Sequence, residues 1–389
     1  MKIYRKETFG GILYDTITLS HKPVTAEPEK VARLVVAKSP PRRTDILSAP
    51  VRVYYEFTRR CNLFCSCCFA NCGPHAEIGV PHKTAVALLQ DLASSGVINI
   101  RFTGGEPTMR EDWFDVLSKA KELGLVAALN TNGVFASPDD VIERIIRLKL
   151  EQVTISLDGA RTRHDAVRGL GNFDKSMATL ARLKKAGVNV RLTTILSRKN
   201  MDDIETLVEL AAQFATTINF ISMRPIGRAI GSQDIPDFEQ HYASAVRVNE
   251  LRKKYAGIFI FHSDLPLPEA YDSPRERKKQ GILQPCGFMD SFMQISADGC
   301  FWPHHFLEHL DSRFKIGRFP EMSVLDAWYS PKMDGFREWL RALRARCADC
   351  SELNSRCSGP NFEMEVSADV HNPYCVKQSK RILPWDFIH

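Results

Sequence analysis

The chain has 389 residues with a formal net charge of +6, and 44% of its residues are hydrophobic and 25% charged. These proportions are typical of a globular protein and exclude collagen-like, low-complexity and wholly disordered chains. The small positive charge forms no strongly basic stripe, which argues against a nucleic-acid-binding protein. The sequence contains no apolar run of the ~18–20 residues that a membrane span needs, and its first residues lack the apolar core of a secretion signal. We therefore expect a soluble, cytoplasmic protein.

The first 45 residues are predicted to form a short N-terminal β extension and a linker. Two β-rich runs, at residues 8–14 and 16–21, lie on either side of Asp15 and predict a β-hairpin with its turn at this residue. A Pro-Pro-Arg-Arg segment at residues 40–43 then stops any helix or central strand. A domain boundary is therefore expected near residue 45.

Short apolar runs alternate with segments of helical period from residue 51 onward. The predicted strands are residues 51–57, 98–102, 126–129, 153–157, 190–196 and 218–223. The predicted helices are residues 84–92, 112–123, 139–148, 173–186, 201–214 and 239–254. This alternation predicts an α/β fold with a parallel sheet, in which residues 46–284 form a partial (β/α)6 barrel or a doubly wound sheet. Periodicity does not choose between the two, and both place the site at the carboxyl ends of the strands.

The remaining residues, 285–389, are predicted to form a small metal-dependent domain. A strand at residues 292–296 leads into cysteine-rich loops and one helix at residues 324–345, which Pro331 interrupts. Small cores that are rich in cysteine and turns usually need a metal to fold.

Cysteine is the most informative residue type in this sequence. The eleven cysteines fall into two groups, and none lies between Cys72 and Cys286. Such grouping in a long chain without an export signal indicates metal or redox chemistry rather than disulfides. Cys61, Cys65 and Cys68 directly follow the first predicted barrel strand. Three thiolates can hold three irons of a 4Fe-4S cluster and leave the fourth open, whereas a zinc site would need Cys67 or Cys72 as a fourth ligand.

Further motif residues follow the cysteines in chain order, at the ends of predicted strands. They are Gly104 to Pro107, then Thr131 and Asn132, then Ser156 and Asp158, with Arg168 shortly after. Together with the three cysteines they resemble the motifs of the radical S-adenosylmethionine (SAM) enzymes. The resemblance implies a partial TIM-like barrel with a SAM-binding 4Fe-4S cluster on the three cysteines. It also implies that a glycine-rich loop binds the amino group of SAM, that Ser156 and Asp158 contact its ribose, and that Arg168 pairs with its carboxylate. The implied cofactor-binding residues are Gly104, Gly105, Glu106, Pro107, Thr131, Asn132, Ser156, Asp158 and Arg168.

The second cysteine group resembles the SPASM extension of peptide-modifying radical enzymes. The resemblance implies one auxiliary 4Fe-4S cluster on Cys347, Cys350, Cys357 and Cys375, although four such thiolates also suit a structural zinc. The family's second auxiliary cluster has one matching ligand here, Cys286, whereas His304 and Asn361 stand at two positions where the family has cysteine. Cys286, Cys300 and His304 form a mixed 2Fe-2S site in one interpretation, and the two cysteines are free thiols in the other. His305 and His309 have the spacing of a helical zinc site, but we expect them at the surface.

The resemblance implies reductive cleavage of SAM to a 5′-deoxyadenosyl radical that abstracts a hydrogen atom from the substrate. It is greatest to peptide maturases, including those of mycofactocin and pyrroloquinoline quinone biosynthesis, so the expected reaction is oxidative modification, such as crosslinking, of a ribosomally made peptide. The implied electron donor is of flavodoxin or ferredoxin type. A small-molecule or tetrapyrrole substrate is the alternative within the family. An iron–sulfur electron carrier or redox sensor is the alternative outside it, and no catalytic residue is assigned.

Overall fold

The computed structural model describes residues 1–37, 41–265 and 291–351, together with residues 366, 375, 384, 387 and 388. Two of the predicted metal ligands, Cys286 and Cys357, lie outside the described residues.

The N-terminal residues form a four-stranded sheet in the order β3-β2-β1-β4. Its strands are β1 (Lys2–Glu7), β2 (Gly10–Asp15), β3 (Ser20–Val24) and β4 (Arg33–Val35). The predicted hairpin lies between β2 and β3, and a second hairpin, not predicted, joins β1 to β2. The buried Arg5 guanidinium pairs with Glu7 at 2.8 Å and donates to the carbonyl groups of Ala49, Pro50 and Gly96. These bonds hold the extension against the residues that follow.

Eight of the ten strands of the larger sheet in the described residues are parallel. They are β5 (Arg52–Thr58), β6 (Asn99–Gly104), β7 (Val126–Thr131), β8 (Gln152–Ser156), β9 (Val190–Leu196), β10 (Thr217–Ser222), β11 (Ile260–Ser263) and β12 (Phe292–Ile295). Strands β5 to β11 lie side by side in chain order, and β12 lies on the other side of β5. A strand order that never reverses is that of a barrel, because a doubly wound sheet reverses at its switch point. Since β11 and β12 do not pair with each other among the described residues, the barrel is partial.

The expectation of a partial barrel is confirmed, and all six predicted strands are present as β5 to β10, with two further parallel strands, β11 and β12, beside them. Strand β11 was not predicted because it has four half-buried residues and no alternation to reveal it. Strand β12 was predicted but was assigned to the C-terminal domain. It pairs in parallel with β5, with Phe292 opposite Arg52.

The predicted helices are present within a few residues of their expected bounds. They are α1 (His82–Ser94), α2 (Trp113–Glu122), α3 (Pro138–Leu148), α5 (Asn172–Lys185), α6 (Ile204–Phe214) and α7 (Phe238–Lys254). A short helix, α4 (Arg161–Arg168), was not predicted. Alternate strand residues such as Val53, Tyr55 and Phe57 belong to the main hydrophobic core, which also includes buried residues of these helices. The other strand residues, including Tyr54 and Glu56, therefore face the barrel interior.

Strands β13 (Cys300–Trp302) and β14 (Gly317–Arg318) extend the larger sheet in antiparallel order beyond β12. Helices α8 (Val324–Trp328) and α9 (Pro331–Arg346) follow. Pro331 is the first residue of α9, where its missing N–H costs nothing, so it separates two helices rather than interrupting one. Within the described residues, no helix is both long and apolar enough to cross a bilayer.

Candidate functional site

The cysteine loop directly follows β5 and is held by bonds from several parts of the chain. The Cys61 N–H donates to the Gly73 carbonyl at 3.0 Å. The Arg228 guanidinium donates to the carbonyl groups of Cys65, at 2.7 Å, and Cys72, at 2.9 Å. Gly227 packs so closely on the loop that an added Cβ would lie 2.5 Å from the Cys68 carbonyl oxygen. The loop therefore has a defined shape although no disulfide closes it.

The five thiols of this loop differ in their surroundings. Burial raises the pKa of the Cys61 thiol to about 12 and also raises the pKa of Cys65 and Cys67. A hydrogen bond from Cys72 lowers the pKa of Cys68 and raises that of Cys72 itself. Buried thiolates need a compensating cation, so the loop suits a positively charged metal centre.

The distances between candidate donor atoms show whether the structure contains a preformed zinc site. Among the described residues, only Glu56, Glu308 and His309 form a set of three or more candidate ligand atoms within 4.8 Å of one another, so no three cysteine sulfurs do. A tetrahedral zinc ion needs sulfurs about 3.8 Å apart, because the Zn–S bond is about 2.3 Å. The described thiols of the cysteine loop therefore do not form a preformed tetrahedral zinc site.

The glycine-rich loop after β6 packs against the start of the cysteine loop. The Gly105 N–H donates to the Thr58 carbonyl at 2.7 Å, and the Glu106 N–H donates to the Arg60 carbonyl at 2.9 Å. A Cβ on Gly105 would lie 2.2 Å from the Arg60 carbonyl oxygen, and Gly104 has a φ of +124°. Close approach to the protein's own backbone already requires both glycines. Pro107 begins the short 3-10 helix Pro107–Met109, which follows.

Glu106 joins the glycine-rich loop to the loop after β7. Its buried carboxylate accepts hydrogen bonds from the Thr131 hydroxyl at 2.8 Å and from the Asn132 N–H at 2.9 Å. Burial raises the pKa of Glu106, although these hydrogen bonds oppose the effect. The Asn132 amide donates to Asn62 Oδ1 at 2.8 Å and lies 3.9 Å from the Cys61 sulfur. Two predicted loops and the cysteine loop therefore form one network.

Asp158 and Arg168 form a buried ion pair beside the cysteine loop. Arg168 Nε lies 2.6 Å from Asp158 Oδ2, and Arg168 Nη1 lies 3.8 Å from the Cys65 sulfur. Asp158 is 1% exposed, and its other oxygen accepts from the Ile195 N–H at 2.8 Å. Although burial disfavours the charged guanidinium, the Asp158 carboxylate holds the pKa of Arg168 above its usual value. The sequence predicted both residues near the cysteines but not their pairing. Ser156 is half-buried at the end of β8.

A cluster of rings and charged groups, which the sequence did not predict, borders the cysteine loop. The ring centroid of Phe69 lies 5.7 Å from that of His305 and 5.4 Å from that of His309. The expectation that these histidines lie at the surface is wrong, because Phe69 covers them and both are half-buried. Nearby, Arg59 pairs with the carboxylates of Glu56 and Glu308. No sequence pattern indicates this contact between segments some 250 residues apart.

The structure gives Cys300 and His304 different neighbours. The Cys300 thiol donates to Asp298 Oδ2 at 3.1 Å. The buried His304 ring packs instead on Phe292, at 5.3 Å between centroids, and on His305, at 4.0 Å. Because Cys286 lies outside the described residues, a shared site for Cys286, Cys300 and His304 stays a prediction.

The second cysteine group begins where α9 ends. Cys347 is the C-cap residue of α9, and the Cys350 N–H donates to its carbonyl at 3.0 Å. Burial raises the pKa of the Cys347 thiol, and the charges of Cys375 and Cys350 add to this effect. These three half-buried cysteines therefore lie close to one another.

Comparison with known proteins agrees with this fold and these motifs. The profile of the Radical SAM superfamily matches residues 55–211. The mycofactocin maturase MftC of Mycolicibacterium smegmatis is 31% identical over 344 residues, which cover 85% of this chain and 84% of MftC. The PqqA peptide cyclase of Ruegeria pomeroyi is 26% identical over 315 residues, 79% of this chain and 81% of the cyclase.

The solved structure of Streptococcus suis SuiB bound to S-adenosylmethionine superposes with a TM-score of 0.73 at 16% identity, covering 96% of each chain. SuiB has also been solved bound to its precursor peptide SuiA. At this identity the likeness concerns the fold. The relationship to MftC extends along most of both chains and includes the barrel and its cysteine loop. The chain therefore belongs to the radical SAM superfamily and is an enzyme that uses a 4Fe-4S cluster and S-adenosylmethionine.

Proposed function

We propose that this enzyme oxidatively modifies a ribosomally made peptide, by crosslinking or a similar loss of hydrogen. The observation that carries the proposal is the extent of its similarity to MftC, which covers 85% of the chain rather than the barrel alone. MftC is named a maturase, and the PqqA cyclase is named for its peptide. A small-molecule substrate is the alternative that the experiment below tests.

In this proposal Cys61, Cys65 and Cys68 hold the SAM-binding cluster. When bound, the cluster and SAM supply a 5′-deoxyadenosyl radical that removes a hydrogen atom from the substrate. The Asn132 amide and the Arg168 guanidinium face two of the sulfurs, at 3.9 and 3.8 Å. Such donors stabilise negative charge on the ligands and tune the potential of a cluster.

The loops around the cysteines would bind and orient SAM. The guanidinium of Arg168 matches the two oxygens of the SAM carboxylate, and Asp158 fixes its direction through the 2.6 Å ion pair. Gly104, Gly105, Glu106 and Pro107 would present backbone to the amino group, with Thr131 and Asn132 beside them. Ser156 would contact the ribose. Both oxygens of the Asp158 carboxylate already have partners, Arg168 and the Ile195 N–H. We therefore assign Asp158 the role of positioning Arg168 rather than direct contact with SAM.

The C-terminal cysteines would hold an auxiliary 4Fe-4S cluster that accepts the electron left on the substrate. The charges of Cys350 and Cys375 raise the pKa of Cys347, so these three thiols lie near one another. Cys357 would be the fourth ligand. A 2Fe-2S cluster on Cys286, Cys300 and His304 stays a prediction. A flavodoxin or ferredoxin would deliver electrons to the enzyme. Its three domains would be residues 1–45, 46–284 and 285–389.

The test is anaerobic reaction of the reconstituted enzyme with SAM, a reductant and each short peptide that is encoded beside its gene. We expect 5′-deoxyadenosine together with a peptide that has lost hydrogen, detected by mass spectrometry. The matched control is the variant with alanine at positions 61, 65 and 68. Cleavage of SAM with no change in any such peptide would contradict the peptide proposal and favour a small-molecule substrate.

A further inference from the structure

Three arginines project from three strands of the larger sheet into the lower part of the barrel interior. Arg52 and Arg101 lie on β5 and β6, and Arg191 lies on β9. In β9 the residues that alternate with Arg191, such as Val190 and Leu192, are fully buried in the hydrophobic core. Arg191 therefore faces the interior, where Arg101 and Arg52 act on its charge.

None of these arginines pairs with a described carboxylate. Arg52 donates from Nε to Asn99 Oδ1 at 2.9 Å and from Nη2 to the Leu19 carbonyl. Burial lowers the pKa of Arg52, but the neighbouring Tyr14 and Tyr54 hydroxyls raise it. The 1% exposed Arg101 donates to the neutral side chains of Asn130, Gln152 and Thr154, and its Nε has no partner. Arg191 donates no hydrogen bond to any described residue, and its Nε is also buried without a partner. No described Asp or Glu forms an ion pair with any of the three.

The buried arginines other than Arg101 among the described residues each pair with a carboxylate at 2.7–2.8 Å. The pairs are Arg5–Glu7, Arg110–Asp112, Arg224–Asp264 and Arg337–Asp334. A buried charge without such a partner carries a large desolvation cost. Buried Arg101 and the half-buried Arg52 and Arg191 have no such partner among the described residues.

The positive charges reinforce one another. Burial, followed by the charges of Arg101 and Arg52, lowers the pKa of Arg191 to about 9. Although burial alone would raise the pKa of Tyr54, the charges of Arg101, Arg52 and Arg191 lower it. This part of the interior therefore favours negative charge.

The arginine cluster lies well below the cysteine loop. Arg101 is opposite Tyr54 in the sheet register, and Tyr54 precedes the last residue of β5, Thr58, by four positions. At ~3.3 Å per residue this is a depth of about 13 Å. Tyr54 stacks on His305, at 5.6 Å between ring centroids, and the Arg101 guanidinium lies 5.8 Å from the Tyr54 ring centroid, so Tyr54 lies between the cluster and the residues beside the cysteine loop.

We propose that Arg52, Arg101 and Arg191 form an oxyanion-binding site that anchors the substrate by a carboxylate or phosphate group. Guanidinium groups match the planar oxygens of both, and an occupant at this depth would be held away from the reacting atoms. The identification of the bound group as part of the substrate rests on the proposed function, whereas the binding of an oxyanion by the three arginines is independent of it.

The test uses reconstituted enzyme with saturating SAM, so that the cofactor's own carboxylate does not account for the effect. The probes are sodium phosphate and sodium acetate, compared with sodium chloride at equal ionic strength. The variants are Arg191→Gln and, as a control with the same charge change, Arg182→Gln, whose exposed side chain pairs with Asp139. Melting temperature is measured for all three proteins, and calorimetric titration is added for the wild type.

We expect phosphate or acetate to raise the melting temperature of wild type and Arg182→Gln by about 2–4 °C more than chloride does. The Arg191→Gln variant should lose this increase yet melt higher than wild type without oxyanion, because a buried unpaired charge has been removed. The better probe identifies the carboxylate or the phosphate as the ligand. Equal stabilisation of Arg191→Gln, or wild type without saturable binding in calorimetry, would overturn the proposal. An oxyanion that binds to an enzyme inactive on peptides would contradict the proposed function alone.

Discussion

Replacing Asp158 by Asn tests whether this residue serves the cofactor or the fold. The substitution keeps the size of the side chain and an oxygen that can accept from the Ile195 N–H, 2.8 Å away. It removes the negative charge that lies 2.6 Å from Arg168 Nε. Arg168 would then keep a buried charge with no fixed partner and lose its orientation beside the Cys65 sulfur.

The size of the effect follows from the lost interaction. A charge-assisted hydrogen bond contributes about 1.5–3 kcal/mol, which corresponds to ~10–150-fold in a binding constant. We expect SAM to bind the Asp158→Asn variant more weakly by a factor in this range. The assay is calorimetric titration of SAM into the reconstituted protein, with the melting temperature measured in parallel.

Asp203 offers a matched control. Its carboxylate also pairs with an arginine, Arg163 at 2.8 Å, and accepts a backbone N–H, that of Ala160 at 2.8 Å. The Asp203→Asn variant should lose stability in the same way but bind SAM with wild-type affinity. Wild-type affinity in Asp158→Asn, or an equal loss of affinity in Asp203→Asn, would refute the assignment.

Three further predictions concern the metal centres and one buried histidine. Alanine at Cys61, Cys65 and Cys68 together should abolish 5′-deoxyadenosine formation while C-terminal iron remains, and residual cleavage would contradict the assignment of this triad. Iron analysis with Mössbauer spectroscopy should give about eight irons per chain, whereas eleven or twelve with uniform cubane signals would indicate a third complete cluster. Burial lowers the pKa of His241 to about 3, so the unfolded chain binds more protons below its ordinary pKa of 6.5 and stability falls as the pH decreases through that window. Urea unfolding of the metal-free chain should show about 2 kcal/mol less loss between pH 7 and 5 for His241→Gln than for wild type or the exposed control His75→Gln.

The barrel could be predicted because its strands and helices carry strong local patterns. Strands β5 to β10 are apolar runs between amphipathic helices, and the carboxyl ends of parallel strands meet at one edge. This geometry brings the motifs after β5, β6, β7 and β8 together without further information. The short β11 lacked such a pattern, and the pairing of β12 with β5 joins residues about 240 positions apart.

The details of the site depended on contacts that no local pattern contains. The pairing of Asp158 with Arg168 requires the turn of α4 between them, and α4 was not predicted. The spacing of His305 and His309 indicated one face of a helix, but whether that face is exposed depends on Phe69, which comes from the cysteine loop. The resemblance implied that Gly105 serves SAM binding, whereas the nearest neighbour of an added Cβ at this position is the Arg60 carbonyl oxygen.

The arginine cluster illustrates why a barrel hides part of its chemistry from sequence reasoning. Within a single strand, an arginine that alternates with apolar residues has the pattern of a solvated face, and Arg191 between Val190 and Leu192 fits this pattern. In a barrel the second face of each strand is the interior, so every such residue meets its counterparts from the other strands. Charges that would be unremarkable one at a time then become a buried group without counter-charge. For this fold, polar positions on predicted strands are therefore candidates for ligand binding once the order of the strands is known.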